Sequence, residues 1–182
     1  MRLAIRGSQG LYLAHGPPDV TQDVNFPSEK SSKCKVMVFS RDGNRFAWAN
    51  GSVVRMVTWH PDTQSWEESI IGEALERTTY MQFSPKGNIL ATWEVYAKRD
   101  GVKQDDLHNM RLWCTVSGKR LHATTQRRAE GWCPQWTEDE MLCCLRSPNN
   151  EIFFYEANNF SETKARLSLP KLDSFFLAPR GS

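Results

Sequence analysis

The residues of this chain best suited to chemistry are cations. Lys98, Arg99 and Lys103 crowd one polar stretch, and Arg127 and Arg128 stand side by side in a second. Guanidinium and ammonium groups so placed contact phosphate, giving a sequence-blind affinity for RNA that weakens as salt rises. Acids interrupt both groups: Asp100, Asp105 and Asp106 the first, Glu130 the second. A solvated loop has the same composition, so both readings stand at this point. Trp59, Trp66, Trp93, Trp113 and Trp132 offer surfaces on which bases could stack. Most fall in strand-like runs, where core packing is the simpler assignment. Trp66, beside Glu67 and Glu68, is expected to be the exposed one.

Catalytic chemistry finds no support. Histidines 15, 60, 108 and 122 lie in separate stretches without ligand spacing. His60 precedes Pro61 and Asp62 in a turn-like string, where a surface imidazole is the plain assignment. Cys143 and Cys144 are adjacent, which fits neither the zinc nor the redox spacing. On a strand such neighbours face opposite sides, as two core contacts would. No nucleophile elbow and no phosphate-binding glycine loop occurs, and Gly7 and Gly10 read as turn residues. No catalytic residue, cofactor or metal is expected.

The elements that must hold the cations come from a repeat. "FSRDGNRFAW" from Phe39, "FSPKGNILATW" from Phe83, "WTEDEMLCC" from Trp136 and "FLAPRGS" from Phe176 share one design. An aromatic ends an apolar run, a short polar turn follows, and a second apolar run returns. The aromatics are 44, 53 and 40 residues apart, near the roughly 40–50-residue period of a four-stranded propeller blade. In "CKVMVFSRDGNRFAWAN", Met37 and Phe39 face one side and Val36 and Val38 the other. A strand that is apolar on both faces has to be covered on both. Stacked blades supply that cover. Ser40, Asp42 and Gly43 suit the turn, as do Ser84, Pro85, Lys86 and Gly87 in the second copy. In the third, Glu140 replaces the glycine. Holding a left-handed conformation there would cost about 1 kcal/mol, so a slightly different turn is expected.

Further strands are "VVRMVTWH", "NMRLWCTV", "GKRLHAT" and "EIFFYEA". "GEALERTT" near Glu73 is too short and lacks the apolar stripe of a sustained helix. An antiparallel sandwich also uses short strands and turns, but the recurring unit favours a propeller. The expectation is an all-β chain, an incomplete WD-type β-propeller of about three complete four-stranded blades plus the start of a fourth. Its boundaries fall at 1–30 for an N-terminal hairpin or closing strand, 31–75, 76–126 and 127–170 for the blades, and 171–182 for the start of the next. Leu3 to Arg6 and Leu11 to Leu13 form the hairpin, whose strand would lack its partner in the absent final blade. Phe175 and Phe176 would border an uncovered apolar face.

At 182 residues, 40% apolar and 24% charged, the composition is that of a globular protein. No run approaches the roughly 18 apolar residues that span a membrane. Five cysteines without paired spacing suit buried thiols in a reducing compartment, so the cytoplasm is expected. A net charge of +2 lacks the strong bias of a dedicated nucleic-acid binder. Because closed propellers need about four to eight blades, the chain reads as the amino-terminal part of a larger one.

Several strings are more specific than a generic blade. "RGSQGLYLAHGPP", "CKVMVFSRDGNRFAWANG", "FSPKGNILATWEVYAKRDG", "GWCPQWTEDE" and "NNEIFFYEANNF" occur in order between Arg6 and about Pro179. Together they resemble the amino-terminal propeller of the eukaryotic translation initiation factor 2A family. The usual Trp-Asp dipeptide at blade ends is absent, in keeping with that divergent family. The resemblance implies a non-enzymatic factor that associates with the small ribosomal subunit, initiator tRNA and mRNA. It allows other initiation factors as partners and implies no membrane. The family's propeller is nine-bladed and followed by an extended region, neither of which is complete here. It carries over no site residue. Near-neutral charge keeps a second reading open, a propeller scaffold for protein partners with no RNA role. The propeller subunit of the multisubunit initiation factor 3 has similar blades but lacks these strings. A peptidase's propeller cap would need a hydrolase domain, and none is present.

Overall fold

The computed structural model describes residues 1–30, 33–72, 77–97 and 108–178. Among these residues every regular element is a β-strand. Strands β1 (Arg2–Gly7) and β2 (Gly10–His15) form a hairpin. The first four-stranded sheet contains β3 (Val36–Phe39), β4 (Arg45–Ala49), β5 (Val54–His60) and β6 (Ser65–Ile71). The second contains β7 (Thr78–Phe83), β8 (Ile89–Glu94), β9 (Met110–Cys114) and β10 (Arg120–Thr124). The third contains β11 (Gln135–Trp136), β12 (Leu142–Ser147), β13 (Glu151–Glu156) and β14 (Ala165–Ser168). Each sheet is an antiparallel meander with its strands in sequence order, as in a propeller blade. The fourth strands of the first and third blades, β6 and β14, escaped the sequence reading. The solvent-facing alternation of Ser65–Ile71 and the fully exposed Ala165–Ser168 carry too few apolar residues to mark them. Residues 73–76, at the centre of the short helix-like string, lie outside the described set, and β7 begins at Thr78.

The three repeats open on one turn. Its backbone closes through Gly43, Gly87 and Glu140, whose N–H groups donate to Ser40, Ser84 and Thr137 carbonyls at 2.9 Å in each case. The hydroxyl at the turn's first position accepts from the returning strand: Arg45 N to Ser40 Oγ at 2.8 Å, Ile89 N to Ser84 Oγ at 3.0 Å, Leu142 N to Thr137 Oγ1 at 3.1 Å. Gly43 and Gly87 hold φ of 72° and 76°. The third turn does not change shape, contrary to the sequence expectation. Glu140 takes the glycine's place at φ 55°. Its buried carboxylate accepts hydrogen bonds from Lys86 N at 2.6 Å and Asn88 Nδ2 at 2.9 Å, both on the second blade's turn. Hydrogen bonds to a charged group contribute about 1.5–3 kcal/mol each, enough to outweigh the left-handed strain of about 1 kcal/mol.

Period-two alternation distributes the apolar residues to both faces of each blade. Phe46, Trp48 and Val57 pack with Met37 and Phe39 against the N-terminal residues Leu11, Leu13 and Phe26. On the opposite face, Ala47, Ala49, Met56, Val36 and Val38 meet Met81, Phe83, Leu90 and Trp113 of the second blade. The second blade turns Ile89, Ala91, Trp93 and Leu112 toward Trp136, Cys143, Leu145 and Tyr155 of the third. Cys143 and Cys144 face opposite sides, as expected from their adjacency. Trp48 is fully buried beside small Ala47 and Ala49, so bulk on one face is matched by backbone approach on the other.

The N-terminal hairpin is fastened to the chain that follows it. Beyond the β1–β2 pairing, the chain doubles back so that Leu11 and Glu29 exchange backbone hydrogen bonds. Glu29 then accepts from Arg55 Nη1 at 2.9 Å and Asn50 Nδ2 at 3.2 Å, tying this segment to the first blade. The same segment covers Trp66, expected to be exposed. Its ring meets Phe26 at 6.4 Å, Arg2 lies over it at 4.9 Å, and its Nε1 donates to Asp23 at 2.9 Å. At the other end, Leu172, Phe175 and Leu177 lie against Cys144, Ile152 and Phe154, so the third blade's far face is partly covered. Phe175 is half-buried and only Phe176 is left bare. Residues 172–178 form no strand.

Candidate nucleic-acid interface

Antiparallel strands place the β8–β9, β10–β11 and β12–β13 connections at one end of the blades. Arg127 and Arg128 lie in the second of these. Their presentation is rigid because buried Gln126 anchors the loop. Gln126 N donates to Asn109 Oδ1 at 2.8 Å, and Gln126 O accepts from Asn109 Nδ2 at 2.8 Å and Trp93 Nε1 at 3.0 Å. The Gln126 side-chain amide closes the loop by donating to Gly131 O at 2.9 Å. Buried polar groups satisfied in this way fix geometry, and stranding one costs about 1–3 kcal/mol. Gly131 has φ of 71°, and a Cβ there would lie 3.1 Å from Arg146 Nη1. The loop therefore approaches the third blade closely.

Arg146 builds the facing wall. Its guanidinium donates to the carbonyls of Asp173 at 2.6 Å and Leu172 at 2.5 Å, which sets Lys171 and Asp173 at the rim. Between wall and loop lies a groove of about 320 Å³ lined by Arg127, Arg128, Glu130, Arg146, Lys171 and Asp173. Four cations face two acids there, and all but Arg146 are exposed. Arg127 lies 5.6 Å over the Tyr96 ring, a cation–π contact that holds its guanidinium against an aromatic plane. Tyr96 belongs to the β8–β9 connection, whose other end is tied down by His108 Nδ1, 3.1 Å from Thr125 Oγ1. Lys98, Arg99 and Lys103 lie outside the described residues. Arg127 and Arg128 are thus joined by Arg146 and Lys171, which the sequence reading did not select. Lys171 lies 43 positions past Arg128, and neither residue belongs to a local charge cluster.

A larger groove of about 540 Å³ lies between β3, β7 and β11, lined by Phe39, Phe83, Pro85 and Trp136 among others. Its cation, Arg41, is paired with Glu138 at 3.2 Å. That groove is mainly apolar, and the groove with Arg127 and Arg128 lies at the other end of the blades. Of the tryptophans considered for stacking, Trp93 and Trp113 are buried, and Trp59 and Trp132 half-buried. Trp132 stacks on Tyr80 at 5.6 Å. Among the described residues no group of histidine, cysteine, aspartate and glutamate could hold a metal ion. No described helix is long and apolar enough to cross a membrane.

Three consecutive four-stranded antiparallel meanders, stacked face to face, define part of a β-propeller. Solved structures agree. A crystal structure of a eukaryotic initiation factor matches 92% of this chain and 40% of its own, with a TM-score of 0.75 and 28% identity. Kluyveromyces lactis Hsv2 shares the fold at a TM-score of 0.57 and 14% identity, over 93% of this chain and 50% of its own. No protein-family model matches the chain. Curated relatives do: eukaryotic translation initiation factor 2A of Caenorhabditis elegans is 30% identical over 97% of this chain and 31% of its own length. The Schizosaccharomyces pombe factor of the same name is 30% identical over 98% of this chain and 30% of its own. That of Dictyostelium discoideum is 26% identical over 98% and 28%. This chain belongs to the eukaryotic translation initiation factor 2A family, and spans under a third of those relatives' length.

Proposed function

We propose that this chain acts as a non-enzymatic part of a translation initiation factor, associating with the small ribosomal subunit, initiator tRNA and mRNA. The observation that carries the reading is the likeness, over nearly the whole chain, to relatives named as initiation factors. The cationic groove supports a place for the contact, with Arg127 and Arg128 meeting RNA phosphate. Lys98, Arg99 and Lys103, in the β8–β9 connection by chain order, are proposed for the same role on sequence alone. Other initiation factors are further partners in this reading, and the cytoplasm is its compartment.

The test is sedimentation of the tagged chain with small ribosomal subunits through a sucrose gradient, at low and raised salt. The wild-type chain is expected with the subunits at low salt, and Arg127→Glu/Arg128→Glu near the top. Equal sedimentation of the two would reject the placement of the contact. Absence of both from the subunit fractions would reject the ribosomal reading. The near-neutral net charge of +2 favours one alternative, a scaffold for protein partners. Retention of the same partners after nuclease treatment, with no ribosomal subunits, would establish that reading instead.

A further inference from the structure

Arg127 differs from the groove's other described cations in lying over an aromatic ring. Tyr96 lies beneath the guanidinium at 5.6 Å, and Arg127 itself is exposed. Among the described residues neither Arg127 nor Arg128 makes a hydrogen bond or ion pair. An arginine lying over an aromatic ring offers its outer face as a platform, and guanidinium planes stack on unpaired bases. Arg128 and Lys171 border the adjoining groove of about 320 Å³, where free donors suit an anion. Gln126 ties the loop carrying the platform at both its ends.

We propose that this end of the blades binds single-stranded RNA, one base stacked on the outer face of Arg127 and an adjacent phosphate in the groove between Arg128 and Lys171. The inference rests on the RNA-contact reading above and specifies its ligand. Bases in a duplex are already stacked on each other and cannot reach such a platform. An acidic peptide has charge for the groove but no base to lay on the plate. Glu130 and Asp173 at the rim oppose loose polyanion binding, so affinity requires the stacked base as well as charge.

The experiment measures fluorescence anisotropy of a labelled oligouridine of about 12 nucleotides, within the span of ordinary single-strand sites, bound to the full chain at several salt concentrations. Arg127→Lys keeps the charge and removes the plane. Tyr96→Ala keeps the charge and removes the backing. Each is expected to weaken binding by about 5-fold or more with the salt dependence unchanged. Arg128→Gln with Lys171→Gln removes two phosphate contacts, and should reduce the slope of log K against log salt by about 1.4. Duplex RNA of equal length should not displace the probe. Arg127→Lys is an exposed change, and an unaltered melting temperature verifies its fold. If Arg127→Lys and Tyr96→Ala bind like wild type while Arg127→Glu/Arg128→Glu does not, the stacking inference falls and the cationic contact stands. If duplex RNA competes equally, the single-strand assignment falls. If charge reversal has no effect, or no RNA binds, both readings fall together.

Discussion

Glu140 reverses the usual logic of a positive-φ position, and replacing it should separate its two energetic contributions. Glycine is the default at such a site because it has no Cβ to strain. Here the glutamate stays in the left-handed region and links the third blade's turn to the second through Lys86 N and Asn88 Nδ2. Losing two charge-assisted hydrogen bonds costs about 3 kcal/mol at the low end of their range. Re-hydration of Asn88 at the turn's edge reduces that somewhat. Glu140→Ala removes the bonds and keeps the strain, so it should destabilise by about 2–3 kcal/mol. Glu140→Gly removes the strain as well, and should be about 1 kcal/mol more stable than the alanine variant. In urea the alanine variant's midpoint should fall by about 1 M or more at an ordinary slope. A double-mutant cycle with Asn88→Ala should return a coupling of about 1 kcal/mol, since the groups are in contact. A glycine variant about 1 kcal/mol more stable than wild type would show that the inter-blade carboxylate contributes nothing. Alanine and glycine variants of equal stability would refute the strain.

Three further outcomes follow from particular contacts. A Cβ at Gly87 would lie 3.0 Å from Arg45 Nη1 and 3.4 Å from Ser40 Cβ, whereas one at Gly43 meets open space. Gly43→Ala should therefore cost only the conformational strain of about 1 kcal/mol, and Gly87→Ala measurably more, by the same urea assay. Burial, then the nearby His108, hold the His122 imidazole below its ordinary 6.5, against a hydrogen bond with the Phe160 backbone. The unfolded chain then binds the proton more readily, so this contribution is complete above pH 6.5 and is lost as the pH falls below it. His122→Phe should flatten that limb of the melting profile, and an unchanged limb would assign it to other groups. Burial raises the thiols of Cys34 and Cys144 to about 11 and that of Cys143 well above its usual range. Cys114 is raised by burial too, but hydrogen bonds from the Ser117 hydroxyl and the Ser117 and Val116 N–H groups bring it below its ordinary value. Brief iodoacetamide treatment of the native chain should label Cys114 ahead of Cys34, Cys143 and Cys144, and mass spectrometry of the peptides would show any other order.

The amino-acid sequence determined by itself whatever follows from neighbours two or a few positions apart. Alternation in Val36–Phe39 and in Cys143–Cys144 required two covered faces, because successive strand residues point oppositely whatever lies around them. The Ser-x-x-Gly spacing specified the turns by local hydrogen bonds, and from these blades and stacking follow. The cations Arg127 and Arg128 were visible for the same reason, as adjacent residues between strands. Tertiary structure alone decided what distant segments do to one another. It placed Glu140 on Asn88, 52 positions away. It covered Trp66 with residues from the first 30, where adjacent glutamates had suggested exposure. It laid Arg127 on Tyr96, and brought Lys171 to the rim through Arg146. Such contacts depend on how whole sheets stack and where the chain doubles back. Those arrangements are set by the summed burial of many side chains, so no single stretch of sequence encodes them.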